Sequence, residues 1–346
     1  MDWKIKENPE DFVVKEVIFD RTEESWKEKM QRIRGNIPEK KERYLWFTLM
    51  KKNRDFFTVI GELGSALRIS TKDIGYSGTK DRKAVTYQTI SVPIEKEKEV
   101  RSLKIKGVVI SDFRSRNRPI KLGEHKGNAF EIVIRNVSDE KDALAEKIER
   151  MKKDGMINYF GEQRFGSVSG ANHIIGKLLV KGDFKNAAEI MTETDGSYER
   201  KMSAYLKKFP GDYTGAIKQL PLRMVKMFVH AYQSNIWNKC AVRYDGDNTA
   251  IPIVGHKTVL KNYPKVNEIL NSILVEEDIY TEEFGNTVLR ELSSRGTERE
   301  YLVFPKDFTY SFSADRKHKG RKIMKLSFFL PKGSYATEVI RQLSEA

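Results

Sequence analysis

Apolar residues alternate with a period of two through Phe12–Val17, Tyr44–Met50, Thr86–Val92, Phe130–Arg135 and Lys322–Leu330, and the long gap before the last segment constrains the fold more than any other feature of the chain. Such alternation predicts half-buried strands, because successive side chains on a strand face opposite ways. In the last segment Met324, Leu326, Phe328 and Leu330 fall on one face. Helical spacing separates the earlier strands: Phe57, Ile60, Leu63 and Leu67 recur at three and four, as do Leu144, Ile148 and Met151 in a segment opened by Ser138 and stopped at Gly155. The pattern predicts an α+β fold with an antiparallel sheet. From about Asn158 the texture turns helix-rich, with Phe228, Tyr232, Ile236 and Cys240 at fourfold spacing, and strand-like alternation returns only after about Pro305. Strands on both sides of a helix-rich block imply an insertion. Residues 1–157 and 305–346 are expected to form one discontinuous domain, with 158–304 inserted into it.

At 346 residues the chain can bury two cores without covalent staples. Its one cysteine, Cys240, excludes an internal disulfide, and its five histidines are scattered without metal-ligand spacing, so no metal site is expected. No apolar run approaches the roughly 20 residues that span a bilayer, and Met1–Pro9 mixes charges of both signs where a signal peptide is apolar. A cytoplasmic protein without membrane contact is the expectation. Lys and Arg (63) exceed Asp and Glu (49), for a net charge of +14 and a pI of about 9.5, which favours a large polyanionic partner over a small neutral ligand.

Two segments concentrate that charge. Arg101–Gly127 holds eight basic residues against Asp112 and Glu124, and the alternation Arg114, Arg116, Arg118 would put three guanidinium groups on one side of an extended segment, a spacing suited to a phosphate backbone. Arg316–Lys322 reads as a basic hairpin loop before a strand. Both could equally be solvated loops. Asp20–Arg43 mixes the two signs and reads as an exposed insertion.

The segment richest in chemistry is Gly75–Gln88, a glycine-bearing turn leading into a strand, in which the single carboxylate of Asp81 stands among Lys80, Arg82 and Lys83. A carboxylate surrounded by cations suits a nucleophile or base beside a phosphate-rich ligand. An aspartate in such a loop can also simply cap the turn through backbone amides. The residue types leave both readings open.

The wider context is more specific. Gly78-Thr-Lys-Asp81-Arg-Lys-Ala-Val-Thr86 with Gln88 resembles the signature of the tRNA pseudouridine synthase D (TruD) family in its archaeal and eukaryotic-like form. Lys6-Glu-Asn-Pro-Glu-Asp-Phe12-Val-Val14 is similar to that family's N-terminal motif, and Leu122-Gly-Glu-His-Lys-Gly-Asn128-Ala-Phe130 to its second core motif. Asn158-Tyr-Phe-Gly-Glu-Gln-Arg-Phe-Gly166 resembles the entrance to the inserted domain, Ala231-Tyr-Gln-Ser-Asn-Ile-Trp-Asn238 a helix within it, and Leu330-Pro-Lys-Gly-Ser-Tyr335-Ala-Thr337 the last core motif. The motifs stand in family order from Lys6 to Thr337.

The resemblance implies a mixed, mainly antiparallel pseudouridine-synthase-like sheet with a helix-rich α+β insertion. The implied activity is that of a cofactor-free isomerase, acting on uridine 13 of tRNA bound in the cleft between the two domains; separately, a monomer is the expectation. Asp81 takes the catalytic position, either attacking the anomeric carbon or removing a ribose 2′ proton, and Lys6 that of its basic partner. Phe130 matches the aromatic that stacks on the target base. Phe12, Asn128 and Tyr335 match substrate-contacting positions; an amide can read a uracil edge and flat rings can hold an unstacked base. On pattern alone Phe12 and Phe130 could be core, Asn128 a turn asparagine, Tyr335 a helix entrance and Lys6 an exposed lysine. Competing classes fit less well. A methyltransferase needs a glycine-rich cofactor loop, whereas Gly61-Glu-Leu-Gly64 falls within a helical pattern, and a deaminase needs zinc ligands. A non-catalytic RNA binder has no reason to set a carboxylate against phosphate.

Overall fold

The strands in chain order are β1 (Phe12–Ile18), β2 (Tyr44–Lys52), β3 (Gly75–Tyr76), β4 (Val85–Pro93), β5 (Val108–Arg116) and β6 (His125–Val137), then β7 (Met156–Ile157), β8 (Ala250–Ile253), β9 (Thr297–Glu300), β10 (Leu302–Val303), β11 (Lys306–Ala314) and β12 (Lys322–Pro331). They belong to a computed structural model that describes residues 2–18, 42–138, 141–166, 170–193, 196–286 and 288–345. Of the charged stretch Asp20–Arg43, all but Glu42 and Arg43 lies outside the described residues.

The chain divides into two units, one of residues 1–155, 304–336 and 343–346, the other of 156–303 and 337–342. In the first unit an eight-stranded sheet runs in the order β11-β12-β6-β1-β4-β2-β5, with β3 beside β4. Every pairing is antiparallel except that of β1 with β4. The mixed, mainly antiparallel sheet therefore joins strands from both ends of the sequence. Its register aligns Lys51, Thr86, Val14, Phe130 and Phe328 in one row across five strands. In the adjacent row Leu49 pairs with Gln88, and Asn128 with both Glu16 and Leu330.

On this face the helix Phe56–Leu67 buries Phe56, Val59, Ile60, Leu63 and Leu67 against Leu45, Phe47, Leu49, Ile90 and Val92. Asp55 starts that helix by accepting from the Thr58 amide, and Arg68, in the left-handed region at φ 54°, ends it. The helix Lys141–Asp154 buries Leu144, Ile148 and Met151 and stops before Gly155, whose φ is +79°.

The second unit is built around the helix Leu222–Arg243, in which Phe228, Tyr232, Ile236 and Cys240 are all buried. The neighbouring helix Asn172–Lys181 approaches it so closely that a Cβ on Gly176 would lie 2.0 Å from the Phe228 carbonyl oxygen, so only glycine fits there. Two small antiparallel pairs, β8 with β9 and β7 with β10, complete it. Thr337–Gln342, grouped by sequence with the core domain, count with this unit. The cause is local: the Gln342 amide exchanges hydrogen bonds of 3.1 and 2.7 Å with the Ile157 backbone, and Arg341 lies over the Tyr159 ring at 5.0 Å.

Candidate active site

The loop between β3 and β4 carries Asp81, and two lysines converge on that residue from different parts of the fold. The Lys6 ammonium donates to the Asp81 carboxylate at 2.6 Å. Lys51, at the end of β2 and fully buried, donates to the Asp81 backbone carbonyl. Lys80 turns the other way and pairs at 2.7 Å with Glu16 of β1, a carboxylate that also accepts from the Ser77 hydroxyl and, at 3.3 Å, the Thr89 amide. Glu16 thus ties two residues of the loop to the sheet. The Asp81 side chain keeps 37% of its surface exposed, so a reacting carboxylate held by a charge-assisted bond remains accessible.

Lys6 reaches this position through a held N-terminal segment. Lys4 and Arg135 exchange backbone hydrogen bonds of 3.0 and 2.9 Å, which lays the segment along β6. Lys6 itself adopts φ 56°, a left-handed conformation that a lysine occupies only when its surroundings impose it. Those surroundings centre on the Arg135 guanidinium, which binds both oxygens of Asp11 at 3.0 and 2.7 Å and lies 3.6 Å from Asp315 and 3.8 Å from Glu7. Burial pushes the Asp11 carboxyl up, but Arg135 and the Asn8 amide outweigh it and hold it below its ordinary value. Glu7 is held in turn by His318 at 3.0 Å, and Lys317 donates to the Asn8 side chain at 3.0 Å. Two members of the basic loop Arg316–Lys322 are therefore engaged with the segment that carries Lys6.

The aromatic candidates lie next to the pair. The Lys6 ammonium sits 4.1 Å from the centroid of the Phe12 ring, Phe12 meets Phe130 edge-on at 6.1 Å, and Phe130 meets Phe328 at 5.5 Å. Phe12 and Phe130 are 3% and 7% exposed, so both are core residues, Phe12 being also the neighbour of the carboxylate's partner. Asn128 follows in the adjacent row, and its Oδ1, like Thr86 Oγ1, Gln88 Oε1 and His125 Nδ1, is buried without a hydrogen-bond partner among the described residues. Burial, and secondarily Lys80, pushes the His125 imidazolium down, favouring its neutral form. The backbone at Gly127 is pressed so tightly against β12 that a Cβ there would lie 2.0 Å from the Leu330 carbonyl oxygen. Lys6, Asp81, Phe12 and Phe130 form one chain of contacts, and Asn128 joins it through the sheet. Tyr335, half-buried between β12 and the helix Ala336–Ser344, is located by the path of the chain just beyond the Leu330–Asn128 pairing.

Sequence reasoning missed Lys51 and Glu16. Both stand in the buried phase of their strands, Lys51 after Leu45, Phe47 and Leu49, and Glu16 after Phe12 and Val14. A charged residue in the apolar phase was the available signal. Burial pushes the Lys51 ammonium down to about 8, against the opposing pull of Asp81 and Asp55.

At the edge strand β5, Arg114 and Arg116 pair with Trp46 and Tyr44 and share a face with them. The Arg116 and Arg118 guanidinium groups lie 5.8 and 5.4 Å from the Trp46 ring, and Arg118 also pairs with Glu124 at 2.7 Å. Among the described residues no helix is long and apolar enough to cross a membrane. No group of three His, Cys, Asp or Glu side chains among them could hold a metal ion.

The family model "tRNA pseudouridine synthase D (TruD)" matches residues 1–197, 191–247 and 245–343 of the chain. Relatives named as probable tRNA pseudouridine synthase D include one from Thermococcus onnurineus, 31% identical, and one from Thermococcus gammatolerans, 32% identical, each alignment covering 98% of this chain and 94% of the relative. The fold is similar to a crystal structure from Methanosarcina mazei that bears the same family name, with a TM-score of 0.75 and 26% identity, covering 98% of this chain and 93% of that one.

Proposed function

The chain belongs to the tRNA pseudouridine synthase D (TruD) family, and on that premise we propose that it isomerises uridine to pseudouridine at position 13 of tRNA, with Asp81 as the reacting carboxylate. The observation that carries the reading is the Asp81–Lys6 pair at 2.6 Å, accessible at the carboxylate and walled by Phe12.

The reaction breaks the bond from ribose C1′ to uracil N1 and forms one from C1′ to C5; C5 loses a proton and N1 gains one, so the balance needs neither cofactor nor redox partner. Asp81 enters either by attacking C1′, with uracil leaving as an anion, or by taking the 2′ proton to give a glycal. In both routes negative charge moves between the carboxylate and the base while the Lys6 ammonium stays beside it, a fixed charge that needs no reorganisation as the reaction proceeds. Base rotation requires a pocket that holds uracil loosely by its faces and reads its edge. Phe12 and Phe130 supply apolar floor, and the Asn128 amide, with its acceptor uncommitted, supplies a group for the uracil N3–H. Tyr335 is assigned a further substrate contact. Residues 158–304 serve as the family's inserted domain, and the enzyme acts as a cytoplasmic monomer.

The test is to incubate unmodified tRNA transcripts with the protein, adding no cofactor, and to map pseudouridine at every position. Product at position 13 supports the proposal. Product only elsewhere retains the isomerase and refutes the position, and no product at any uridine refutes the activity.

A further inference from the structure

Lys51 is a buried charged group beside Asp81 that the reaction described above does not use. Its side chain is fully buried in the sheet face beneath the catalytic loop, where its strand neighbours of the same phase are Leu45, Phe47 and Leu49. Its one hydrogen bond among the described residues goes to the Asp81 carbonyl. Its register partner, Thr86, has a buried hydroxyl with no partner among them. An ammonium carries three donors, and burying it with one acceptor is a poor arrangement for stability. A leucine or methionine in the same phase would pack the sheet without that cost. A buried charge retained at a site where only one backbone atom benefits points to what that atom controls.

That atom is the carbonyl of the residue proposed to react. Fixing the carbonyl fixes the rotation of the Asp81 backbone, and with it the direction in which Cβ and the carboxylate leave the loop. Lys6 holds the carboxylate, and the Lys80–Glu16 pair anchors the residue before it. The Asp81 carbonyl is held from within the sheet by Lys51. We propose that Lys51 is a positioning residue for the isomerisation: its buried ammonium orients the Asp81 peptide so that the carboxylate meets the ribose in a reactive geometry. The proposal rests on the tRNA isomerase reading and on Asp81 as its reacting group.

The groups whose charge acts on Lys51 are Asp81 from the loop and Asp55 from the start of the helix Phe56–Leu67, which favour its protonated form, and Lys80, which opposes it. Burial, with Lys80 acting in the same direction, outweighs the two carboxylates and brings the ammonium down to about 8, so it is charged at neutral pH and neutral in mild alkali. A neutral amine binds a carbonyl less firmly than an ammonium does.

Two measurements on the full chain test this. In single-turnover reactions with saturating unmodified tRNA transcript, Lys51→Met should lower the rate of pseudouridine formation about 100-fold, the scale of a small misplacement of a reacting group. Its tRNA affinity should stay within about threefold of the parent, because Lys51 touches no solvent. The parent's rate should also fall as pH rises through about 8, without matching loss of tRNA affinity, and this limb should be missing in Lys51→Met. A parental rate in Lys51→Met overturns the proposal. If that variant does not fold, the parent's profile decides alone, and a rate that is flat from pH 7 to about 9 overturns it. A parent that makes no pseudouridine overturns the function reading instead, which keeps the two failures distinct.

Discussion

Replacing Lys51 with methionine should make the protein more stable at neutral pH while making it a poorer catalyst. Moving a fully buried ammonium from its ordinary 10.5 down to about 8 corresponds to about 3 kcal/mol against the charged form. Methionine removes that burden and keeps most of the apolar stem, but it leaves the Asp81 carbonyl without its donor, a loss of about 1–2 kcal/mol. The net gain is therefore about 1–2 kcal/mol, or a thermal midpoint higher by a few degrees, at roughly 2–4 °C per kcal/mol for a unit of this size. The sign with pH follows from the direction of the shift. A lysine whose folded value lies below its unfolded one is penalised below about pH 8, and the penalty is relieved as pH rises from there towards 10.5. Parent and variant should therefore differ most near pH 7 and converge by about pH 9.5. Thermal and urea denaturation of both proteins at the two pH values makes the comparison. A variant less stable than the parent by about 2 kcal/mol at pH 7 would show that the ammonium is a net stabilising strut, and the burial argument would fail.

Arg135→Leu should cost roughly 3–5 kcal/mol, because it removes the cation paired with the buried carboxylate of Asp11. Arg135 helps to hold the Asp11 carboxyl below its ordinary value of 3.8, so this contribution is present above that value and is lost as pH falls through the lower folded value; the gap between parent and variant should be widest well above 3.8 and narrow as the medium is acidified, as read by denaturation across that range. Gly127→Ala should cost about 3 kcal/mol or more, since its Cβ would meet the Leu330 carbonyl at 2.0 Å; a urea midpoint equal to the parent's would contradict the close approach. Charge reversal of Arg114 and Arg116 should weaken tRNA binding and flatten its dependence on salt, by somewhat under one log unit per log unit of salt for each phosphate that is no longer neutralised. An unchanged salt slope would remove β5 from the RNA-binding surface.

Much of this architecture was legible because strand parity is local. The apolar phases of Phe12–Val17, Phe130–Arg135 and Lys322–Leu330 follow from neighbours two residues apart, and they foretold the sheet. The parallel alignment of β1 with β4 was not legible, since it depends on the register of segments more than 70 residues apart in the chain. Lys51 escapes for a smaller reason: the apolar alternation stops at Met50, whereas the strand continues to Lys52. At the candidate site the Asp81 loop and Phe130 could be found from motif and pattern. The hold on Lys6 could not, because Arg135, Asp315 and His318 reach it from distant parts of the sequence. Charge counting turns Lys317 and His318 towards a polyanion, while in the fold they face Glu7 and Asn8.

The most direct test of the central claim is pseudouridine formation at position 13 of a tRNA transcript by the parent protein and by Asp81→Asn, with tRNA affinity measured for both. The substitution keeps the shape of the side chain and removes the reacting carboxylate, so the account predicts product from the parent, none from Asp81→Asn, and similar affinity from each. Product from Asp81→Asn at the parental rate would show that the reaction runs through another group.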